Sequence, residues 1–279
     1  MTENISFENA PLIEIIAELR WLPIGVQTAP PGQVQITIGG ADPDAFLLSF
    51  GRRPEVAAFT VAEKLVPSGF PPVWQQVVWR FRNPSSEGAL LQVGPGIFTA
   101  NALQPYKRWS EFRPTVAQGV KALLASRPPQ EKDQPLTGLT LRYINGFSPE
   151  IMGGLTPAAF MRDILGFSVD PPSALKSLDV GGSASSTSVN LLIPVANTSK
   201  KMAVQVGDGT IRPVGASAEL PVVMLDMTVS ESEPVSPNID VVLSSLDASR
   251  NIIHTAFLAM TAKVHDQMKP LQETLNGSS

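Results

Sequence analysis

Apolar and polar residues alternate in LIEIIAELRW (residues 12–21), the first strongly patterned segment of the chain. Apolar side chains occupy the odd-numbered positions through Trp21, whereas Glu14, Glu18 and Arg20 occupy even-numbered ones. A period of two is typical of a strand that buries one face. The segment therefore predicts the first strand of a sheet.

The remainder of the first half predicts a helix, a hairpin and a longer helix. DPDAFLLSFG begins with Asp42 and Pro43 at N-cap and first-turn positions, which favours a short helix up to Gly51. Two β-rich runs, VWQQVVWRFRN and ALLQVGPGIFTANA, flank the turn residues PSSEG and predict a hairpin. WSEFRPTVAQGVKALLAS places its apolar residues near one face and predicts an amphipathic helix. The prolines and charges of RPPQEKDQP then indicate a boundary.

The second half repeats this order of elements. LTGLTLRYINGF predicts a strand that ends in a glycine turn at Gly146, and TPAAFMRDILGF predicts a helix with Thr156 as N-cap. SVNLLIPVA, KKMAVQVGDG and PVVMLDMTVS predict three further strands before a long helix. We therefore expect an α+β fold of two similar halves, each a mainly antiparallel sheet with a packed helix, ending in a long C-terminal helix. The halves are residues 1–130 and 136–279, as two units or as one intimate domain.

The C-terminal helix carries two stripes at three- and four-residue spacing. The apolar stripe predicts packing on a sheet and consists of Leu246, Ile253, Phe257, Met260, Val264 and Met268. A polar stripe runs beside it through Asp247, Asn251, His254, Thr261 and His265. The polar stripe is interpreted either as a boundary face with satisfied hydrogen bonds or as the lining of a groove.

Composition narrows the classes of protein to consider. The 279 residues, 43% of them hydrophobic, suffice for a sizeable core, and a net charge of -4 argues against binding to nucleic acid. The absence of cysteine excludes disulfides, Cys-ligated zinc and thiol nucleophiles. An acidic, polar start and the lack of a run of about 20 apolar residues predict a cytoplasmic protein without a membrane span.

No motif in the chain assembles a catalytic, metal or cofactor site. The Gly/Ser-rich VGGSASSTSV lacks the lysine of a phosphate-binding loop, and the segment around Ser217 has Glu219 where a nucleophile elbow needs glycine. His254 and His265 lie eleven residues apart, about 16 Å along a helix, which is too far to share one metal ion. We therefore predict no catalytic residues, no metal and no cofactor.

The polar residues of LRYING (141–146) are the main candidates for a binding site. Strand alternation puts Tyr143 and Asn145 on one face and Arg142 on the other. Arg142 needs an acidic partner there, and we expect Glu18 or Asp226 within salt-bridge distance. If that pair is largely buried, Arg142→Ala costs about 3 kcal/mol. The binding candidates are Arg142, Asn145, Asp226, His254 and Glu18.

Several segments, taken as a set, match a known pattern of motifs. They are NAPLIEIIAELRW, LLQVGPGIFTAN followed by YKRWSEFRPTV, LRYING, MLDMTV and LDASRNIIHTAFLAMTAKV. Over nearly its whole length the chain resembles a sporadically distributed family of uncharacterised bacterial proteins, with a Pro-aliphatic-x-Glu first strand, an Arg-Tyr-x-Asn strand and a His-containing C-terminal helix. Phe98, Ala100 and Asn101 make their segment a looser match. The resemblance implies no assigned activity.

A second resemblance covers the first half of the chain. ISFENAP and GALLQVGPGIF are similar to the opening segment and one strand of the bacterial export chaperone SecB, although here a helix follows the first strand. This resemblance implies a protein that holds unfolded or partner polypeptides in apolar grooves.

Three functional hypotheses follow, in order of preference. The first is a non-enzymatic binding or accessory protein that acts through protein–protein contacts, as a homo-oligomer or with a protein partner. The apolar strands of LLIPVANTSKKMAVQV favour it, because their edge needs covering. The second is a SecB-like chaperone or an antitoxin-like partner. The third is an enzyme whose pocket is built from Arg142, Asp226 and His254, which requires these residues to converge within about 4 to 6 Å.

Overall fold

Strand β2 (Leu12–Arg20) forms where the alternating segment predicts it. The computed structural model describes residues 5–23, 43–67, 73–85, 88–104, 108–169, 186–212 and 218–271. Beside β2, the strands of the main sheet are β3 (Val61–Lys64), β4 (Trp79–Arg82), β5 (Ala89–Gly94), β6 (Ile97–Leu103), β7 (Gly138–Phe147), β8 (Ser188–Pro194), β9 (Lys200–Ile211) and β10 (Leu220–Glu231). Strand β1 (Ser6–Phe7) pairs separately with β11 (Pro270–Leu271).

The order of strands in the main sheet shows two similar halves. It runs β3-β4-β5-β6-β2-β7-β10-β9-β8, and neighbouring strands are antiparallel throughout. In each half the first strand, β2 or β7, pairs with the last strand, β6 or β10, and the remaining strands continue outward. The α+β class and the twofold arrangement are confirmed, and the half-sheets join edge to edge through β2 and β7.

An irregularity in β2 explains the glycine of LRYING. The pairing of β2 with β7 shifts register between Leu12 and Glu14, and Gly146 donates its backbone N–H to Pro11 O over 2.8 Å. A Cβ atom on Gly146 would lie 2.7 Å from Cδ1 of Ile13. The prediction of a turn here is wrong, because the strand continues to Phe147 and the glycine makes room for the bulged side chain.

The principal helices pack on one face of the sheet. They are α1 (Pro43–Gly51), α2 (Trp109–Ser126), α4 (Pro157–Asp163) and α5 (Ile239–Thr261), and α3 (Pro149–Met152) is a single turn. Thr156 caps α4 as predicted, with its side-chain oxygen accepting from Ala159 N at 3.3 Å. After α5, a 3-10 turn at residues 262–264 leads into α6 (His265–Met268).

The core lies between these helices and the sheet. Residues of one parity are buried along the central strands, as Ile15, Leu19, Leu141 and Leu225 illustrate. On the opposite face of the sheet the alternate positions are mainly polar or charged and half-buried. We call this second side the open face.

Two segments differ from their sequence prediction. The hairpin predicted across PSSEG forms between β4 and β5, and the run ALLQVGPGIFTANA adds a second hairpin, because Gly96 at a φ of 76° turns β5 back into β6. The boundary segment RPPQEKDQP packs against the core, where Arg127 and Glu131 are buried. Trp21 donates Nε1–H to Glu131 Oε2 at 3.0 Å, and the guanidinium of Arg127 lies over the Trp21 ring.

A buried ion pair joins α5 to the edge of β9 and β10. Lys200 and Glu231 are in salt-bridge contact, with only 7% and 10% of their side chains exposed. Ser245 on α5 donates to Glu231 and accepts from Lys200, and Ser199 donates to Glu231 Oε2 at 2.8 Å. Burial disfavours the charged carboxylate, yet these hydrogen bonds outweigh it and lower the pKa of Glu231.

Candidate functional site

Strand β7 places the polar residues of LRYING on two faces, as its alternation predicts. Arg142 points to the open face, whereas Tyr143 and Asn145 line a cavity beneath the helices. The polar residues of LRYING therefore belong to two different sites. Arg142 lies in a groove on the open face, and Tyr143 and Asn145 lie in a cavity on the helix side.

The open-face groove has a volume of about 520 Å³ and crosses β2, β7, β10, β9 and β8. Its charged residues are Glu18, Arg20, Arg142 and Asp226, and its other polar groups include Thr140, Thr228 and Gln205. These four residues form two ion pairs, Arg20 with Glu18 and Arg142 with Asp226, so the charges that line the groove balance.

Arg142 pairs with Asp226, one of the two expected partners. Nε of Arg142 lies 2.9 Å from each carboxylate oxygen, and a second guanidinium nitrogen contacts Oδ2. The hydrogen bond to Asp226 raises the pKa of Arg142, while burial acts in the opposite direction. The prediction of a largely buried pair is wrong for the arginine, since 43% of its side chain is exposed against 15% for Asp226.

Glu18 has a different partner from the one expected. Strand β7 lies between β2 and β10, so Glu18 and Asp226 each lie on a strand next to that of Arg142. Glu18 instead accepts from Nε of Arg20 at 2.6 Å. Glu14, on the same face, accepts from Asn101 Nδ2 at 2.7 Å. Arg142 thus lies among several carboxylates while bonding directly to one of them.

The helix-side cavity, with a volume of about 330 Å³, lies on the other face of the sheet. Strands β7 and β10 form its floor, α5 and the start of α2 form two walls, and residues 5–7 and 10–12 form a third. Its aromatic walls come from Phe7, Trp109, Tyr143 and Phe257. Such a volume lies at the lower end of the range for small-molecule sites, roughly 300 to 1,000 Å³.

Asp247 organises one side of the helix-side cavity. Its Oδ1 accepts from Trp109 Nε1 at 2.7 Å, and its carboxylate accepts a two-pronged contact from Arg113 at 2.8 to 3.1 Å. Burial alone would raise the pKa of Asp247, but the hydrogen bonds from Arg113 and Trp109 lower it. These contacts join the start of α2 to α5.

The polar stripe of α5 divides into two parts. Asp247, Asn251 and His254 line the helix-side cavity, in accord with the groove-lining interpretation. Farther along, Thr261 donates to Phe257 O at 2.7 Å and lies 3.3 Å from Nε2 of His265, in accord with a satisfied boundary face.

The five binding candidates therefore form two groups. Glu18, Arg142 and Asp226 lie in the open-face groove, whereas Asn145 and His254 lie in the helix-side cavity. A single pocket built from Arg142, Asp226 and His254 is not formed, because the sheet separates the first two from the third. Among the residues that the structure describes, no three His, Asp or Glu side chains cluster as a metal site requires.

Sequence reasoning missed the arginines of the helix-side cavity. Arg108 immediately precedes α2, and Arg250 lies on α5 between Asp247 and His254 in the polar stripe. The stripe itself was a usable signal, because Arg250 falls three residues after Asp247 and four before His254. Arg108 gave no such signal, since a charged residue before a helix is ordinarily exposed.

Comparisons with protein-family models, curated proteins and solved structures found no match to this chain. The two family resemblances drawn from the motifs therefore stay predictions. No described helix is long and apolar enough to span a membrane. The candidate nucleophile Ser217 and most of VGGSASSTSV lie outside the described residues.

Proposed function

We propose that this chain is a non-enzymatic binding protein that acts through protein–protein contacts, and that strand β8 pairs with β8 of a second copy. The observation that carries the proposal is the exposure of three consecutive apolar residues on this strand. Leu191, Leu192 and Ile193 are 42%, 69% and 46% exposed. Strand β8 is also the last strand of the sheet among the described residues.

The two ends of the sheet differ in charge. At one end, β3 (VAEK) carries Glu63 and Lys64, as edge strands ordinarily do to prevent pairing with other chains. At the other end, β8 (SVNLLIP) has no charged residue in seven. An edge strand with unpaired backbone groups and apolar side chains is a template for another strand.

The backbone of β8 is oriented for such pairing. Val195, just beyond the strand, donates its N–H to Lys200 O at 3.0 Å, and hydrogen-bonded positions alternate along an antiparallel pair. By this alternation the odd-numbered residues bond to β9, so Asn190 and Leu192 direct their N–H and C=O groups to the outer edge, which no described strand covers. Pro194, which has no N–H, also falls on the free side.

Strand β8 is complementary to itself. If two copies pair antiparallel about Leu191, Val189 meets Ile193 and Asn190 meets Leu192 of the second copy. In such a twofold contact each copy uses the same surface, so assembly stops at the dimer. Dimers of this symmetry are the commonest oligomers. Self-complementarity is our reason for choosing a second copy over a different protein as the occupant.

The other hypotheses have less support from the described residues. A chaperone for unfolded chains needs a sizeable apolar groove, but in the open-face groove apolar residues such as Ile16 and Leu192 are interspersed with two ion pairs. An antitoxin-like partner would use the same β8 edge with another protein. Within the proposal, the cytoplasmic location remains an expectation from the sequence.

Introducing one lysine at each edge of the sheet, in separate variants, tests the proposal. Leu192→Lys places a charge on β8, and Val61→Lys, at a residue 49% exposed on β3, is the matched control. We expect the parent chain and Val61→Lys to have twice the 29.8 kDa chain mass by light scattering, and Leu192→Lys to have the single mass. A parent that stays monomeric up to about 100 μM, or a dimer that survives Leu192→Lys, contradicts the proposal.

A further inference from the structure

We infer that the helix-side cavity binds a small anionic molecule with an apolar, aromatic-sized body, whose carboxylate or phosphate is held by Arg108 and Arg250. This site lies beneath the helices, on the opposite side of the sheet from the open face. It is therefore independent of the proposed pairing at β8.

The charged residues of the cavity wall do not balance. Arg108 and Arg250 contribute two positive charges, and Asp247 is the one carboxylate among the described residues that line the cavity. Asp247 is already engaged by Arg113, which approaches it with two nitrogens. Once the pair of Asp247 with Arg113 is set aside, Arg108 and Arg250 leave the cavity wall with an excess of positive charge.

Neither cavity arginine forms a salt bridge with a described carboxylate, although the charge of Arg250 contributes to the lowered pKa of Asp247. Arg250 donates from Nη1 to the side-chain oxygen of Asn251 at 3.2 Å, a neutral acceptor. Arg108 takes part in no salt bridge of the described structure, and its side chain caps no helix N–H. A guanidinium presents five donors suited to two-pronged contact with carboxylate or phosphate. Two such groups at one cavity favour an anion.

Neutral donors lie beside these charges. The Tyr143 hydroxyl has no hydrogen-bond partner among the described residues, and Tyr143 lines the cavity. Burial raises the pKa of Tyr143 well above its usual value, with Arg250 acting in the opposite direction, so the hydroxyl keeps its proton and can donate. Asn145 also lines the cavity, with Nδ2 directed to Leu225 O at 3.3 Å.

The remaining walls select an apolar body for the anion. Phe7, Trp109 and Phe257 provide aromatic surface, and Leu12, Met227 and Ile253 provide aliphatic surface. A free inorganic ion would leave this surface in contact with water, whereas a molecule with a flat ring system would cover it. The volume of about 330 Å³ suits one such molecule.

Three probes of the same shape test the inference by calorimetry on the full chain: naphthoate, naphthyl phosphate and the uncharged naphthamide. We expect at least one anion to bind at least tenfold more tightly than naphthamide. Whichever of the two anions binds more tightly identifies the group as carboxylate or phosphate. Arg108→Met and Arg250→Met should each weaken the anions at least tenfold and leave naphthamide within about twofold.

Two further variants separate loss of charge from loss of folding. Arg82→Met, at an exposed arginine on β4 remote from the cavity, is the matched control and should leave binding unchanged. Ala10→Leu fills the cavity without altering its charge and should weaken all three probes. Near-ultraviolet circular dichroism checks each variant, and Arg250→Gln, which also removes the charge but keeps a polar side chain, replaces Arg250→Met if the latter unfolds.

Several results would overturn the inference. These are affinities weaker than about 1 mM for both anions, equal affinity for naphthamide, or anion binding that persists in both methionine variants. Binding that is insensitive to Ala10→Leu would place the anion elsewhere. Because dimerisation is measured separately with the β8 variants, failure here leaves the proposed function standing.

Discussion

Replacing Arg142 with alanine removes the cation at the centre of the open face. Asp226 would lose its three contacts with the guanidinium and keep Thr228 Oγ1 at 3.4 Å. The residue left behind is the more buried partner, since Asp226 is 15% exposed. The free energy of unfolding should therefore fall, because a mostly buried carboxylate loses its counter-charge.

The loss of unfolding free energy caused by Arg142→Ala lies between two limits. Breaking a fully buried pair costs about 3 to 5 kcal/mol, whereas a surface pair contributes about 0.2 to 1 kcal/mol. With 43% of the Arg142 side chain exposed, water can occupy the space that the guanidinium leaves and hydrate Asp226. We expect Arg142→Ala to cost about 2 kcal/mol, which lowers the melting temperature by about 3 °C for a chain of this length.

The reverse substitution should cost less. Asp226→Ala leaves a half-exposed guanidinium that water can reach, so we expect a loss of about 1 kcal/mol or less. Arg82→Ala, in an exposed pair with Glu63 at 3.8 Å, is the control and should cost less than about 0.5 kcal/mol. Urea unfolding measures all three. Equal losses for Arg142→Ala and Asp226→Ala, or a loss from Arg142→Ala no larger than that of the control, would refute the reasoning.

Two other substitutions test the core. Glu231→Gln leaves Lys200 buried without its counter-charge and should cost on the order of 3 kcal/mol at neutral pH. The pKa of Glu231 is lower in the folded state than its value near 4.5 in the unfolded chain. The stability that the ionised carboxylate contributes is therefore complete above pH 4.5 and is lost as the pH falls through the folded-state pKa. Urea unfolding should accordingly show that Glu231→Gln costs less stability in acid than at neutral pH. Gly119→Ala should destabilise the chain by more than about 1 kcal/mol despite the helix preference of alanine, because its Cβ would lie 2.5 Å from Phe98 Cζ. Gln118→Ala, one position away and exposed, should change the melting temperature little, and equal effects of the two alanines would contradict the packing argument.

Local pattern was sufficient to predict most elements of this fold. The alternation in LIEIIAELRW gave β2, and the cap at Thr156 gave the start of α4, because both depend on neighbours in sequence. The pairing of β2 with β7 was not predictable, since it joins strands about 120 residues apart and depends on which edges remain free. The bulge that Gly146 accommodates follows from that pairing.

In the candidate sites, too, features set by neighbouring residues could be predicted, whereas contacts between distant segments could not. The opposite orientation of Arg142 and Asn145 follows from strand alternation. The choice of Asp226 over Glu18 was not predictable, because both lie on strands next to β7 and Glu18 pairs with Arg20 on its own strand. The position of Arg108 at the cavity depends on the approach of α2 to α5, where Trp109 donates to Asp247, and no local pattern encodes that contact.

A single cysteine introduced at Leu191 tests the central claim most directly, because the chain has no other cysteine. In antiparallel pairing about Leu191, the two copies of this residue face each other as a non-hydrogen-bonded pair, with Cα atoms about 4.5 Å apart. That spacing permits a disulfide, which needs about 4.4 to 6.8 Å. Under mild oxidation, Leu191→Cys should form a covalent dimer on a non-reducing gel. Leu192→Cys and Val61→Cys should form no covalent dimer, because neither cysteine faces its own copy. A covalent dimer with Val61→Cys, or none with Leu191→Cys at concentrations where the parent is dimeric, would contradict the pairing of β8 with β8.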